Sequence, residues 1–101
     1  MTQKDKRVET EITRKAAEFF ARTIPSRALV TVTGCHIENH GKEATVFISV
    51  LPDSDLPQVL KEAERLRSDL REYLRETTKL GILPRVDVLP TPHTTEEIPT
   101  Q

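Results

Sequence analysis

Residues 55–78 read DLPQVLKEAERLRSDLREYLRETT, and the reading of this stretch decides the fold. Val59, Leu60, Ala63, Leu66, Leu70, Tyr73 and Leu74 recur at helical spacing, and at about 100° per residue they share one face. Lys61, Arg65, Ser68, Arg75 and Lys79 centre on nearly the opposite direction. The pattern predicts one long helix from Asp55 to Thr78, capped by Ser54 or Asp55, with Pro57 tolerated in its first turn. At about 1.5 Å per residue it would run roughly 35 Å, long for a domain whose radius of gyration should be about 13 Å. Such a helix either overhangs its core or bends.

On its N-terminal side, Glu43 to Leu51, EATVFISVL, is the clearest strand, with Ala44, Val46, Ile48 and Val50 on one face and Thr45, Phe47 and Ser49 on the other. Ala28 to Thr33, ALVTVT, is a second strand, with Val30 and Val32 on one face. Past Gly34 the apolar residues are Cys35 and Ile37, of opposite parity, so a bulge or the end of regular pairing is expected there. Asn39, His40, Gly41 and Lys42 form the turn of a hairpin, with Gly41 available for positive φ. On the C-terminal side, residues 80–84 make a short linker and Arg85 to Leu89 a third strand, with Val86 and Val88 inward. Lys6 to Ile24 reads as the first helix, carrying Val8, Ile12, Ala16, Phe19, Phe20 and Ile24 on one stripe and ended by Pro25 and Ser26. Pro90 to Gln101, PTPHTTEEIPTQ, is expected to be a disordered tail, leaving residues 1–89 as the domain. The fold class is therefore α+β, in two layers, with helices on one face of a three-stranded sheet.

The 101 residues amount to one domain. The 36% hydrophobic content and lack of Trp imply a small, aliphatic core. The net charge of −1 excludes a polycation, so any nucleic-acid binding must come from a local patch. The single Cys35 excludes an internal disulfide and fits a reducing, cytoplasmic setting. No apolar run approaches the ~20 residues of a membrane span, and MTQKDKRVET is too polar for a secretory signal.

The order of elements resembles ribosome-binding factor A, a bacterial family with a type II KH-like fold. The residues that carry the resemblance are Arg7-Val8 with Ile12, Val30-Thr31-Val32-Thr33, Ala44 through Leu51, Leu70-Arg71 with Leu74, and Leu80 through Ile82 to Pro84. They cover about residues 6–89. The resemblance implies the order α-β-β-α(kinked)-β, with the Gly-x-x-Gly loop of other KH domains replaced by helix, kink, helix bearing an Ala-x-Gly motif. Counting back from Pro84, that motif falls on Leu66, Arg67 and Ser68, so both marked positions depart from the family. Ser68 bends a helix only mildly, through a side-chain bond to a carbonyl. The only glycines are Gly34, Gly41 and Gly81, so a conventional KH grip on four nucleotides is not expected. The function implied is that of a non-enzymatic assembly factor, a cytoplasmic monomer that binds the small ribosomal subunit and its rRNA in late maturation and matters during growth in the cold.

The candidate RNA-binding residues are cations. Arg67, Arg71, Arg75 and Lys79 lie four apart, as do Lys61 and Arg65. Like charges at that spacing cost a few tenths of a kcal/mol each, and phosphate contacts are one reason to keep them, with Ser68 beside them at the expected bend. The other reading is a solvated mixed-charge face, the commoner meaning of such a pattern: Glu62–Arg65, Glu64–Arg67, Glu72–Arg75 and Glu76–Lys79 are each three apart and can pair. Lys4, Lys6, Arg7, Arg14 and Lys15 form a second basic group that either adds phosphate contacts or solubilises the first helix.

Cys35, His36 and His40 are residue types of a zinc site. Adjacent strand residues point to opposite faces, and a structural site needs four ligands, so no metal is expected. Cys35 reads as a small core residue and the histidines as exposed hairpin residues. No phosphate loop, dinucleotide fingerprint or His–Asp constellation is present, so no cofactor, small-molecule substrate or catalytic residue is expected. Phe47 either stacks on a base from the open sheet face or packs beneath a helix. A protein-binding adaptor of the same fold, using the open sheet face or an edge strand, is the alternative function.

Overall fold

A central strand, β2 (Glu43–Leu51), pairs on both sides: antiparallel with β1 (Leu29–Glu38) and parallel with β3 (Arg85–Pro90). This is a computed structural model; it describes the backbone of residues 3–24 and 28–92, and side chains from Lys6 onward within those ranges. The helices are α1 (Gln3–Thr23), α2 (Leu56–Arg65) and α3 (Arg67–Thr77). The α+β class and the order α-β-β-α-β expected from the sequence are found.

The three described α-helices lie on one face of the sheet. Ala44, Val46, Ile48 and Val50 point into that face and are buried, and Ile12, Ala16, Phe19, Phe20, Val59, Ala63, Leu70 and Leu74 meet them. Burying a Leu of this kind is worth about 1.5–3 kcal/mol, so Leu70 and Leu74, both 0% exposed, anchor α3. The change of parity in β1 has a simple cause. The register slips between Val32 and Gly34, so Thr33 is the extra residue of a β-bulge. The bulge returns Cys35 and Ile37 to the face of Val30 and Val32, and all four pack against the core. The strand therefore runs on to Glu38 rather than ending at Thr33. In the hairpin turn Gly41 has φ +88°, as expected, and Asn39 and His40 also take positive φ.

The long helix is two helices. Leu66 interrupts it with φ −95° and ψ 8°, the bridge region between helical and extended backbone. Its N–H is shared between the carbonyls of Glu62 (3.0 Å) and Ala63 (3.1 Å), and its own carbonyl starts the next helix by accepting from the Leu70 N–H (2.9 Å). The bend therefore sits at Leu66, the first position of the expected motif, and not at Ser68. Ser68 lies exposed in the first turn of α3, and no side-chain hydrogen bond of its own is found among the described residues. The break lets α2 lie on β2 and β3 while α3 turns to meet α1 and β3. Neither Ser54 nor Asp55 caps the helix through its side chain; a 3-10 turn over Asp53–Asp55 leads into α2 instead.

Two boundaries also move. The first helix begins at Gln3, and its expected stop at Pro25 and Ser26 lies outside the described residues. The third strand includes Pro90, and the Thr91 N–H continues the ladder to the Ile48 carbonyl at 2.8 Å, two residues past the expected strand end. Residues 93–101 of the expected tail lie outside the described residues.

Candidate nucleic-acid interface

The cations of the α2–α3 stripe differ in what holds them. Arg65 donates to both oxygens of Glu62, and Arg75 to both oxygens of Glu72. These partners, first through hydrogen bonds and then through charge, raise both guanidinium pKa values. Arg67 pairs with Glu64 at 3.8 Å and reaches across to the Asp87 carboxylate on β3. Arg71 donates through Nε to the Pro84 carbonyl (3.0 Å) and through a terminal nitrogen to the Leu83 carbonyl (3.2 Å). Three of the anticipated i,i+3 pairs thus exist, and Arg67 and Arg71 additionally tie α3 to the approach and body of β3. Lys61 and Lys79 are exposed, with no ion-pair partner among the described residues.

The first-helix group divides in the same way. Arg14 pairs with Glu11 (2.8 Å) and Glu18 (3.6 Å), and Lys15 with Glu18 (3.3 Å). Glu18 also accepts from the Tyr73 hydroxyl at 3.0 Å, and this bond, followed by that from Lys15, holds its carboxyl below the usual range. Lys6 and Arg7 are exposed without ion-pair partners among the described residues, and the Lys4 side chain lies outside them. Tyr73 itself packs on Phe19 and carries the Arg22 guanidinium over its ring.

Folding brings the start of α1 to the end of α3. Arg7, Val8 and Glu11 face Thr77, Thr78, Lys79, Leu80 and Gly81 across an open groove of about 450 Å³. The hairpin turn joins this end. Glu9 accepts from the Ile37 N–H at 3.0 Å, closing the free edge of β1, and the Arg85 N–H donates to the Lys42 carbonyl at 2.9 Å. Lys42 and Arg85 are exposed cations there. Sequence spacing missed both, because one sits in a turn and the other at the start of a strand.

Among the described residues, no helix covers the opposite sheet face. Phe47 lies on it, between Gly34 and Leu89 in register, half-buried and outside the core cluster. This settles its direction in favour of the open face. Leu29 and Leu51 stand directly opposite each other at the open end of the hairpin, 63% and 62% exposed. Cys35 faces inward, and burial, with Glu9 nearby, pushes its thiol up to about 12, while His36 is exposed on the other face. Among the described residues no group of three or more His, Cys, Asp or Glu could hold a metal ion, and no helix is long and apolar enough to cross a membrane.

No family model and no curated relative matches the sequence. Solved structures do match the fold. A crystal structure of ribosome-binding factor A from Thermus thermophilus superposes with a TM-score of 0.75 at 22% identity, over 85% of this chain and 94% of that one. A Thermus thermophilus ribosome-binding factor A homology model, fitted into a cryo-electron-microscopy map of its complex with the 30S subunit, gives 0.68 at 21% identity, over 83% and 94%. The solution structure of a Thermotoga maritima protein proposed to be a ribosome-binding factor A gives 0.67 at 16% identity, over 85% of each chain. The chain therefore has the KH-like fold of ribosome-binding factor A, matched over most of its length.

Proposed function

We propose that the protein belongs to the ribosome-binding factor A family and associates with the small ribosomal subunit as a maturation factor. The observation that supports this reading most is the whole-domain match to a structure fitted into a subunit complex. On this reading the chain acts by binding rather than by catalysis, as a cytoplasmic monomer, in late rRNA processing and during growth in the cold. Contact with rRNA comes from phosphates, through exposed lysine and arginine side chains, because no Gly-x-x-Gly loop is available to grip nucleotides. Arg67 and Arg71 serve as positioning residues that fix α3 against β3. Co-sedimentation with purified small subunits at low salt tests the reading. Saturable binding, weakened as salt rises, is expected; no binding to either immature or mature subunits would end it.

A second reading, a protein-binding adaptor, is favoured by the facing pair of exposed leucines at the open end of the hairpin, Leu29 and Leu51, on the face that also carries Phe47. Salt-insensitive association with a protein, and none with RNA, would support it.

A further inference from the structure

Among the described residues, the cations with no intramolecular partner are Lys6, Arg7, Lys42, Lys61, Lys79 and Arg85. Of these, Arg7 and Lys79 line one groove, whereas Lys6 lines another beside Thr33 and Gly34. All but Lys61 come from the start of α1, the hairpin turn, the end of α3 and the start of β3, elements joined by the Glu9–Ile37 and Arg85–Lys42 hydrogen bonds and by the contact of Gly41 with Ile82. Acidic groups are also present at this end, and most are occupied. Glu9 is held by a backbone N–H, Glu11 by Arg14, and Glu38 faces His36 at 3.4 Å; Glu43 stands on the open face opposite Arg85.

We infer that the phosphate-contacting surface is the groove between the start of α1 and the end of α3, flanked by Arg7 and Lys79, and not the outer face of α2 and α3. The inference rests on the RNA reading proposed above and specifies its site. An Arg–Glu pair is locally neutral, so Arg65 and Arg75 present little field to a phosphate and must exchange a partner to bind one. Arg7 and Lys79 need no exchange, and they come from two elements to flank one open groove. That is how a chain of net charge −1 can hold a positive patch. The ligand is the phosphodiester backbone, because the groove offers Arg7 and Lys79 as free cations, its Glu11 is held by Arg14, its threonine hydroxyls already donate to α3 carbonyls, and among the described residues no aromatic ring lines it for a base to stack on.

The test compares the salt dependence of binding to purified small-subunit rRNA for the full chain and two double variants, Arg7→Ala/Lys79→Ala and Arg65→Ala/Arg75→Ala. Each lost phosphate contact should lower the slope of log K against log salt by about 0.7–0.9. The first variant should therefore lose about 1.4–1.8 of slope, and the second should keep the slope of the full chain. All four positions are exposed, and circular dichroism checks that the variants fold. The charge-keeping variant Arg7→Lys/Lys79→Arg should retain the slope, which separates lost charge from lost structure. An unchanged slope in Arg7→Ala/Lys79→Ala, or a drop confined to Arg65→Ala/Arg75→Ala, overturns the inference but leaves RNA binding standing. A full chain that binds no rRNA at low salt overturns both.

Discussion

Replacing Arg71 by Ala separates a structural cation from an RNA-binding one. The Arg71 guanidinium bridges the carbonyls of Pro84 (3.0 Å) and Leu83 (3.2 Å), so it joins α3 to the segment that enters β3. A hydrogen bond from a charged donor is worth about 1.5–3 kcal/mol when shielded. The Pro84 bond is part-buried and belongs at the low end; the Leu83 bond is exposed and adds about 0.5 kcal/mol or less. The expected loss is therefore about 1.5–2 kcal/mol. For a domain of this size that lowers Tm by about 6–16 °C. Urea and thermal unfolding followed by circular dichroism give both quantities. Arg71→Lys should recover only part of the loss, since an ammonium lacks the planar fork that spans two carbonyls. A loss under about 0.5 kcal/mol, with the salt slope of RNA binding falling by nearly one contact, would show that Arg71 faces a ligand instead.

Leu70→Ala empties a fully buried position beneath α3 and should cost about 2–5 kcal/mol, read from the urea midpoint. Ser68→Ala should change stability and helicity little, within about 0.5 kcal/mol, because the break lies at Leu66; a large gain in helicity would return the bend to Ser68. Gly41→Ala should destabilise by about 1 kcal/mol because φ is +88° there, whereas Gly34→Ala meets open space at ordinary φ and should be nearly neutral. The Cys35 thiol, with its folded pKa raised to about 12, should resist a thiol reagent at pH 8 and react once urea unfolds the chain. The sign of the linkage follows: its contribution to stability is complete below the unfolded thiol pKa and is lost as pH rises from there towards about 12. Rapid labelling of the native protein would contradict the burial of this side chain.

Much of this fold is legible in the residues themselves. The stripe from Val59 to Leu74 faces the core as its spacing requires, and the change of parity at Gly34 marks the bulge in β1. The position of the helix break is less legible. A single residue in the bridge region barely disturbs a 3.6-residue period, so Val59, Ala63, Leu70 and Leu74 look continuous across Leu66. Resemblance to a family with a kinked helix located the bend within Leu66 to Ser68; it falls on Leu66, and Ser68, from which only a mild bend was expected, takes no part in it. The candidate interface was the least legible part. Arg67, Arg71 and Arg75 share one spacing, yet two of them are tied to β3 and its approach, and only the third is paired solely within its own helix. That difference depends on a strand that enters later in the chain. Arg7 meets Lys79 across a groove, and Lys42 meets Arg85 through a backbone hydrogen bond, by topology that no local pattern carries.

Chemical footprinting of small-subunit rRNA, with and without the protein, tests the central claim most directly. Low ionic strength should give a discrete set of backbone protections that fade as salt rises and weaken in the Arg7→Ala/Lys79→Ala variant. A reactivity profile unchanged by saturating protein would contradict an rRNA-contacting role for this domain.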